Sequence, residues 1–261
     1  MYFDKDEEFV MNRIESAKNP KVKQWKKLHT KKGRDTDHQF LIEGTHLIEE
    51  ARKSGIDPLE LIISEEYDVP KNWSDWQVPI TYVTDRVMME LSETKSPQGV
   101  IAICQQFEHQ LIPSQGRYLL IDAVQDPGNV GTIIRTADAA GVDGIVLGDG
   151  SVDLYNGKVI RSTQGSLFHL PIVKGNLLEW IEKLKTLDIP VYGTALENGQ
   201  DYNEIESPSS FALMVGNEGE GVSKELLKET DANLYVPIYG KAESLNVAIA
   251  TAILLYGLRN K

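Results

Sequence analysis

Cysteine is almost missing: Cys104 is the only one in 261 residues. No intramolecular disulfide can form, which points to a reducing compartment, and a cytoplasmic protein is expected. The 5 histidines are scattered, and neither C-x-x-C nor H-E-x-x-H occurs, so no metal is expected. Long apolar runs are missing too. The longest, Val247 to Tyr256, is far short of the roughly 20 residues a spanning helix needs, so no membrane role is expected. The opening Met1-Tyr2-Phe3-Asp4-Lys5-Asp6-Glu7-Glu8 is acidic and has no apolar signal core. There is no Walker motif, no G-x-G-x-x-G and no internal repeat. Positive charge is scarce: 27 Lys and Arg stand against 39 Asp and Glu, a net charge of -12. That sum argues against a protein that coats nucleic acid nonspecifically. What is present, 41% hydrophobic and 25% charged residues, fits one or two globular domains with a real core.

The few cations are concentrated. From Arg13 to Arg34 the only acidic residue is Glu15, set among Lys18, Lys21, Lys23, Lys26, Lys27, Lys31 and Lys32. Phosphate binding depends on such local charge rather than on the whole-chain sum. Trp25 and His29 lie within the segment, and either could stack on a base. A solubilising basic helix face is the plain alternative. The candidate RNA contacts are Lys23, Lys26, Lys27, Lys31, Lys32 and Arg34.

Strand and helix patterns alternate along the chain. Helix is predicted over 16–28, interrupted early by Pro20, and over 45–54 with Thr45 as N-cap and Gly55 as stop. Strands are predicted over 40–44, 59–64, 80–84 and 99–104, with a short helix over 85–92. Cys104 is expected to be a buried, inert residue. Polar residues 105–117, with Pro113 and Gly116, read as a linker. Beyond them come strands over 118–122, 144–147, 190–194, 211–215 and 234–238. The helices between and after them are 129–140, 177–187, 223–229 and 244–259. The expected organisation is a basic helical segment (1–35), a small α/β domain (36–108) and a larger α/β domain (117–261). Such alternation implies a parallel sheet covered on both faces. Its ligands would sit beyond the carboxyl ends of the strands.

Three loops at strand ends carry the unusual residues. The first, Asp126-Pro127-Gly128-Asn129, is a turn that places Asn129 to cap a helix, with Arg135 six residues on. The second, Gly216-Asn217-Glu218-Gly219-Glu220-Gly221, has three glycines in six residues, which allow close approach of backbone to a ligand. The third runs Val236-Pro237-Ile238-Tyr239-Gly240-Lys241-Ala242-Glu243-Ser244-Leu245-Asn246-Val247, with Ser244 suited to cap the last helix. That helix is apolar nearly all round, so either a subunit interface or a deep core must cover it. Taken singly, each loop is an ordinary turn or cap.

Together the loops closely resemble the three motifs of the SpoU (TrmH) family of RNA ribose 2'-O-methyltransferases, in the SPOUT superfamily. The matching residues are Asn129 with Arg135, Gly216 to Gly221, and Pro237 to Val247, in the family's order. The resemblance covers about 118–261. Residues 40–104, with Gly44 and Ser96-Pro97-Gln98-Gly99-Val100, are similar to the family's small substrate-binding domain. The resemblance implies a deep trefoil knot, a homodimer through the knotted domain, and S-adenosylmethionine as cofactor. It places the cofactor at Thr194, Leu196, Gly216, Val236, Ile238 and Leu245.

The chemistry so implied is methyl transfer to a ribose 2'-hydroxyl, a weak nucleophile until it begins to lose its proton. Catalytic roles fall to Arg135, Asn129, Glu218, Ser244 and Asn246. An always-protonated arginine is an odd base. It could instead stabilise the developing alkoxide or bind a neighbouring phosphate. Ser244 either positions substrate or only caps its helix. The expected substrate is structured RNA, ribosomal rather than transfer RNA. A tRNA 2'-O-methyltransferase, a non-catalytic RNA-binding ribosome-assembly factor on the same scaffold and an ordinary α/β enzyme using a nucleotide cofactor remain the alternatives.

Overall fold

The computed structural model describes residues 13–206 and 208–259. The acidic opening, residues 1–8, lies outside them. The chain divides into two compact units between Gln106 and Phe107.

The first unit contains β1 (Arg13–Ile14), α1 (Pro20–Lys27), α2 (Lys31–Asp37), β2 (Gln39–Glu43), α3 (Thr45–Lys53), β3 (Pro58–Ser64), β4 (Ile80–Val83), α4 (Asp85–Leu91) and β5 (Val100–Gln105). Its sheet order is β1-β4-β3-β5-β2. This sheet is mixed rather than parallel, because β5 runs antiparallel to both β2 and β3. The loop after α4 explains the reversal. It carries the chain back to the carboxyl ends of β2 and β3, where Gly44 N–H donates to Val100 O and Ser64 N–H to Gly99 O. Glu43, 7% exposed, holds that loop by accepting from Ser92 Oγ at 2.7 Å, Thr94 Oγ1 at 3.1 Å and Gln98 N at 3.3 Å.

Several local expectations are corrected here. Pro20 starts α1 instead of interrupting a helix, and Asn19 caps it by accepting from Lys21 N. Proline suits the first helical position because the N–H it lacks would have no partner there. Gly44, at φ 97°, occupies the cap position of α3 in place of Thr45. Its hydrogen for a Cβ is needed, since a Cβ would meet the Gln98 side chain. Trp25 is not a stacking platform. It is 3% exposed and packs with Ile14, Val22 and Leu28 against Ile62, Val83 and Val87. Arg34 is likewise not a phosphate contact. It is 3% exposed, and Nη1 donates to Leu28 O and His29 O at 2.9 Å, tying the end of α1 to α2. Cys104 is fully buried, and burial pushes its thiol up to about 12.

The second unit contains β6 (Arg117–Ile121), α5 (Pro127–Ala139), β7 (Gly144–Leu147), α6 (Gly157–Thr163), β8 (Ile172–Lys174), α7 (Leu177–Lys185), β9 (Val191–Thr194), β10 (Gln200–Asp201), β11 (Phe211–Val215), α8 (Lys224–Leu227), β12 (Ala232–Tyr235) and α9 (Val247–Arg259). The stretch read as a linker is not one: Gln105 ends β5, and from Phe107 on the stretch is part of this unit. Phe107 N–H donates to Tyr155 Oη at 3.0 Å, and Tyr118 Oη donates to Ser114 O at 2.8 Å.

The sheet order is β10-β12-β9-β11-β6-β7-β8, and every pairing is parallel. Central strands β6 and β11 are almost wholly buried, which explains their unbroken apolar runs. Each fully buried Leu or Ile there contributes about 1.5–3 kcal/mol. From β6 the chain winds outward through β7 and β8, then restarts on the other side at β9. The winding therefore reverses between β6 and β11, and a crevice opens at their carboxyl ends. The last strand ends at Tyr235 rather than at 238, because Pro237 has no N–H for a ladder. Short α6 and β8 are not legible in the sequence: 7 and 3 residues are too few to show a period. Among the described residues no helix is long and apolar enough to cross a membrane.

Candidate active site

The site is assembled at the carboxyl ends of neighbouring parallel strands. The loops after β6 and β11 meet first. Asp126, not Asn129, caps α5: its side chain accepts from Asn129 N at 2.9 Å. Pro127 at the first helical position fits that assignment. Asn129 thus lies inside the first turn, where its amide is free to reach across. Its Nδ2 donates to Glu218 Oε1 at 2.9 Å, and its Oδ1 accepts from Asn246 Nδ2 at 3.0 Å. Asn246 is itself the cap of α9, accepting through Oδ1 from Ala248 N at 2.9 Å and Ile249 N at 3.3 Å. That corrects the expectation for Ser244, which is exposed three residues before the helix.

The result is one polar chain, from the start of α9 through Asn246 and Asn129 to Glu218. Glu218 also accepts from Asp126 N at 3.1 Å and Gln125 N at 3.3 Å. Partial desolvation pushes its carboxyl up. The bonds from Asn129 and from the backbone of Glu218, Asp126 and Gln125 outweigh that and hold it below its ordinary value. Glu218 is therefore a carboxylate at neutral pH, and a carboxylate can only accept. This fixes the Asn129 amide with nitrogen towards Glu218 and oxygen towards Asn246. Asp126 is also held low, chiefly by the Asn129 N–H, and pairs with Lys158 Nζ at 3.2 Å. Both carboxyls stabilise the loops above their unfolded values, and that contribution is lost as pH falls through their lowered ones.

The glycine loop is folded on itself. Asn217 and Gly221 exchange backbone hydrogen bonds at 3.0 and 2.9 Å. A Cβ on Gly216 would lie 2.2 Å from Gly221 C and Val222 N, so only glycine fits. Sequence reasoning missed Asn217 as a clamp. Its Nδ2 donates to Ala123 O at 2.9 Å and its Oδ1 accepts from Gly219 N at 2.8 Å. Ala123 is a non-glycine residue at φ 51°, a costly conformation that this bond supports. The signal was available only as a polar residue inside a glycine run.

Strands β12, β9 and β11 are adjacent in the sheet. They bring Thr194, Leu196, Gly216, Val236 and Ile238 to one edge, at or just past their carboxyl ends. Thr194 pairs in register with Leu234. Leu196 is 59% exposed, while Val236, Ile238 and Leu245 are half-buried. Apolar surface at the strand ends suits an adenine ring, so these residues fit the expected cofactor. Arg135 is the residue the geometry leaves apart. It is exposed, and six helical residues put it about 9 Å along α5 and on a different face from Asn129.

The decisive comparison is at family level. A model of the SpoU rRNA Methylase family matches residues 116–256, and one of the MRM3-like substrate binding domain matches 19–102. The chain belongs to the SpoU rRNA methylase family. Among SpoU relatives, it is 54% identical over 251 residues to the 23S rRNA (guanosine(2553)-2'-O)-methyltransferase RlmP of Bacillus subtilis strain 168. That alignment covers 95% of this chain and 100% of the relative. The AdoMet-bound rRNA methyltransferase of Sinorhizobium meliloti superposes with a TM-score of 0.85 at 33% identity, covering 95% of this chain and 97% of that one. The SpoU methyltransferase AviRb of Streptomyces viridochromogenes, in complex with AdoMet, gives 0.82 at 28% identity, covering 92% and 97%. S-adenosylmethionine is accordingly the cofactor of this SpoU enzyme.

Proposed function

We propose that the protein transfers a methyl group from S-adenosylmethionine to a ribose 2'-hydroxyl of 23S rRNA, at a guanosine equivalent to the one named for the Bacillus subtilis relative. The observation that carries the reading is the Asn246–Asn129–Glu218 chain, a rigid polar rail beside an apolar strand-end edge. When bound, the cofactor supplies an electrophilic methyl group. The protein's task is to align the ribose oxygen with it and to ease loss of the hydroxyl proton. Asn129 and Asn246 hold the ribose or its phosphate, and Glu218 fixes the Asn129 amide. Arg135 stabilises the developing alkoxide or the adjacent phosphate, and Ser244 contributes from the exposed approach to α9. Thr194, Leu196, Gly216, Val236, Ile238 and Leu245 form the cofactor edge.

Two further elements of this reading rest on α9. Its buried stripe, Ala248, Thr251, Leu254, Leu255 and Leu258, packs on the unit. Opposite, Ile249 is 52% and Tyr256 43% exposed, two turns apart on one stripe. A second copy of the chain covers that stripe in a cytoplasmic homodimer. The chain leaves β12 near one sheet edge yet α9 packs beside α5, as the Tyr256 Oη bond to Ala139 O at 3.2 Å records. The return passes through the loops of the strand ends and closes a trefoil knot. Residues 117–261 form the catalytic domain and 36–108 the RNA substrate-binding domain; the basic segment expected as a separate piece over 1–35 belongs, from Arg13 on, to that same domain, since β1 pairs with β4 and Val22 and Trp25 lie in its core.

The direct test is to map 2'-O-methyl groups in 23S rRNA from cells with and without the protein. Loss of one guanosine methylation is expected; an unchanged map would refute the reading.

The basic segment offers a narrower test. Lys26 is engaged with Glu90 at 2.8 Å, whereas Lys23, Lys27, Lys31 and Lys32 are exposed on α1 and α2. Changing those four to glutamine is expected to weaken rRNA binding and to lower the salt slope by about 3. Cofactor affinity should not move. An unaltered salt slope would remove the segment from the RNA interface.

A further inference from the structure

Tyr239 is 95% exposed, the most exposed large hydrophobic side chain among the described residues. A phenol ring carries substantial apolar area, and its exposure contributes nothing to this fold. Its location is specific. It follows directly on Ile238, at the cofactor edge, and lies seven residues before Asn246, in the polar rail. Both ends of the loop are thus anchored in the site. At no more than about 3.5 Å per residue, the tip cannot stray far from it.

The tip itself is open. A Cβ on Gly240 would meet nothing within 4 Å, and Lys241 beyond it is exposed. An unpacked aromatic ring with a cation two residues on is the combination that binds single-stranded RNA, by stacking on a base and pairing with its phosphate. A ribose can be presented to the site only if its nucleotide is held, and none of the residues of the polar rail offers a ring to a base.

We infer that Tyr239 stacks on a base of the RNA at or next to the methylated nucleotide, with Lys241 on the adjoining phosphate. This rests on the proposed methyltransferase reading and adds a positioning residue to it. The ring makes no bond to the reacting atoms. It sets how long the nucleotide stays in place.

The test compares Tyr239→Ala and Tyr239→Trp with the unaltered protein, using an unmodified 23S rRNA transcript. Tyr239→Ala is expected to raise KM for RNA about 10- to 100-fold, and Tyr239→Trp to restore most of it. Melting temperature, S-adenosylmethionine affinity and oligomeric state should be unchanged in both. An unchanged KM in Tyr239→Ala overturns the inference. So does a loss of cofactor affinity, which would make the ring a cover for the cofactor, or dissociation into monomers, which would make it a subunit contact. If the unaltered protein methylates no RNA, the methyltransferase reading itself fails, an outcome the variants cannot mimic.

Discussion

Gly216→Ala should abolish cofactor binding and destabilise the second unit by about 3 kcal/mol or more. The added methyl would sit 2.2 Å from two backbone atoms, Gly221 C and Val222 N, which no rotamer change can relieve. The loop must open, and opening it breaks the paired hydrogen bonds between Asn217 and Gly221. Asn217 would then lose its hold on Ala123, and Glu218 its place beside Asn129. Gly219→Ala is the control. Its nearest neighbour for a Cβ is Asn217 Oδ1 at 3.5 Å, an ordinary contact, so near-normal behaviour is expected. Thermal melting and titration with S-adenosylmethionine would decide. A Gly216→Ala protein that melts normally and binds cofactor normally would show that this bend is not part of the pocket.

Arg135→Ala should reduce turnover about 100- to 1,000-fold while leaving cofactor affinity and stability alone. Stability is spared because Arg135 is exposed and holds no place in the core. Cofactor affinity is spared because no proposed cofactor residue lies on α5. Arg135→Lys should recover only part of the rate, since an ammonium lacks the planar fork of a guanidinium. Single-turnover methylation of a 23S rRNA transcript is the measurement. A rate within a few-fold of normal would take Arg135 out of the reaction, despite its place in the first motif.

Much of the fold could be read directly. Every long strand and helix of the second unit carries its own signal: unbroken apolar runs at Tyr118–Ile121 and Phe211–Val215, and helical periodicity from Leu177 to Lys185. What failed were the short pieces and the caps. The sequence offers Asn129 and Ser244 as caps on residue type alone, yet Asp126 and Asn246 hold those positions. Side-chain type says which residues can cap; only the path of the chain says which one stands at the helix end. The basic segment shows the same limit. Composition makes Trp25 and Arg34 look like RNA contacts, and both are consumed by the core beneath α1 and α2.

Residue order alone determined the alternation of strands and helices, the three motif loops and the family they indicate. Those features are local, written in turn chemistry and hydropathy period over a few residues. Tertiary structure decided which loops meet. Asn129, Glu218 and Asn246 are 89 and 117 positions apart in their contacts, and join only because parallel strands place their loops at one end of one sheet. Strand order and side-chain rotation depend on packing across the whole unit, and no short window of sequence carries that.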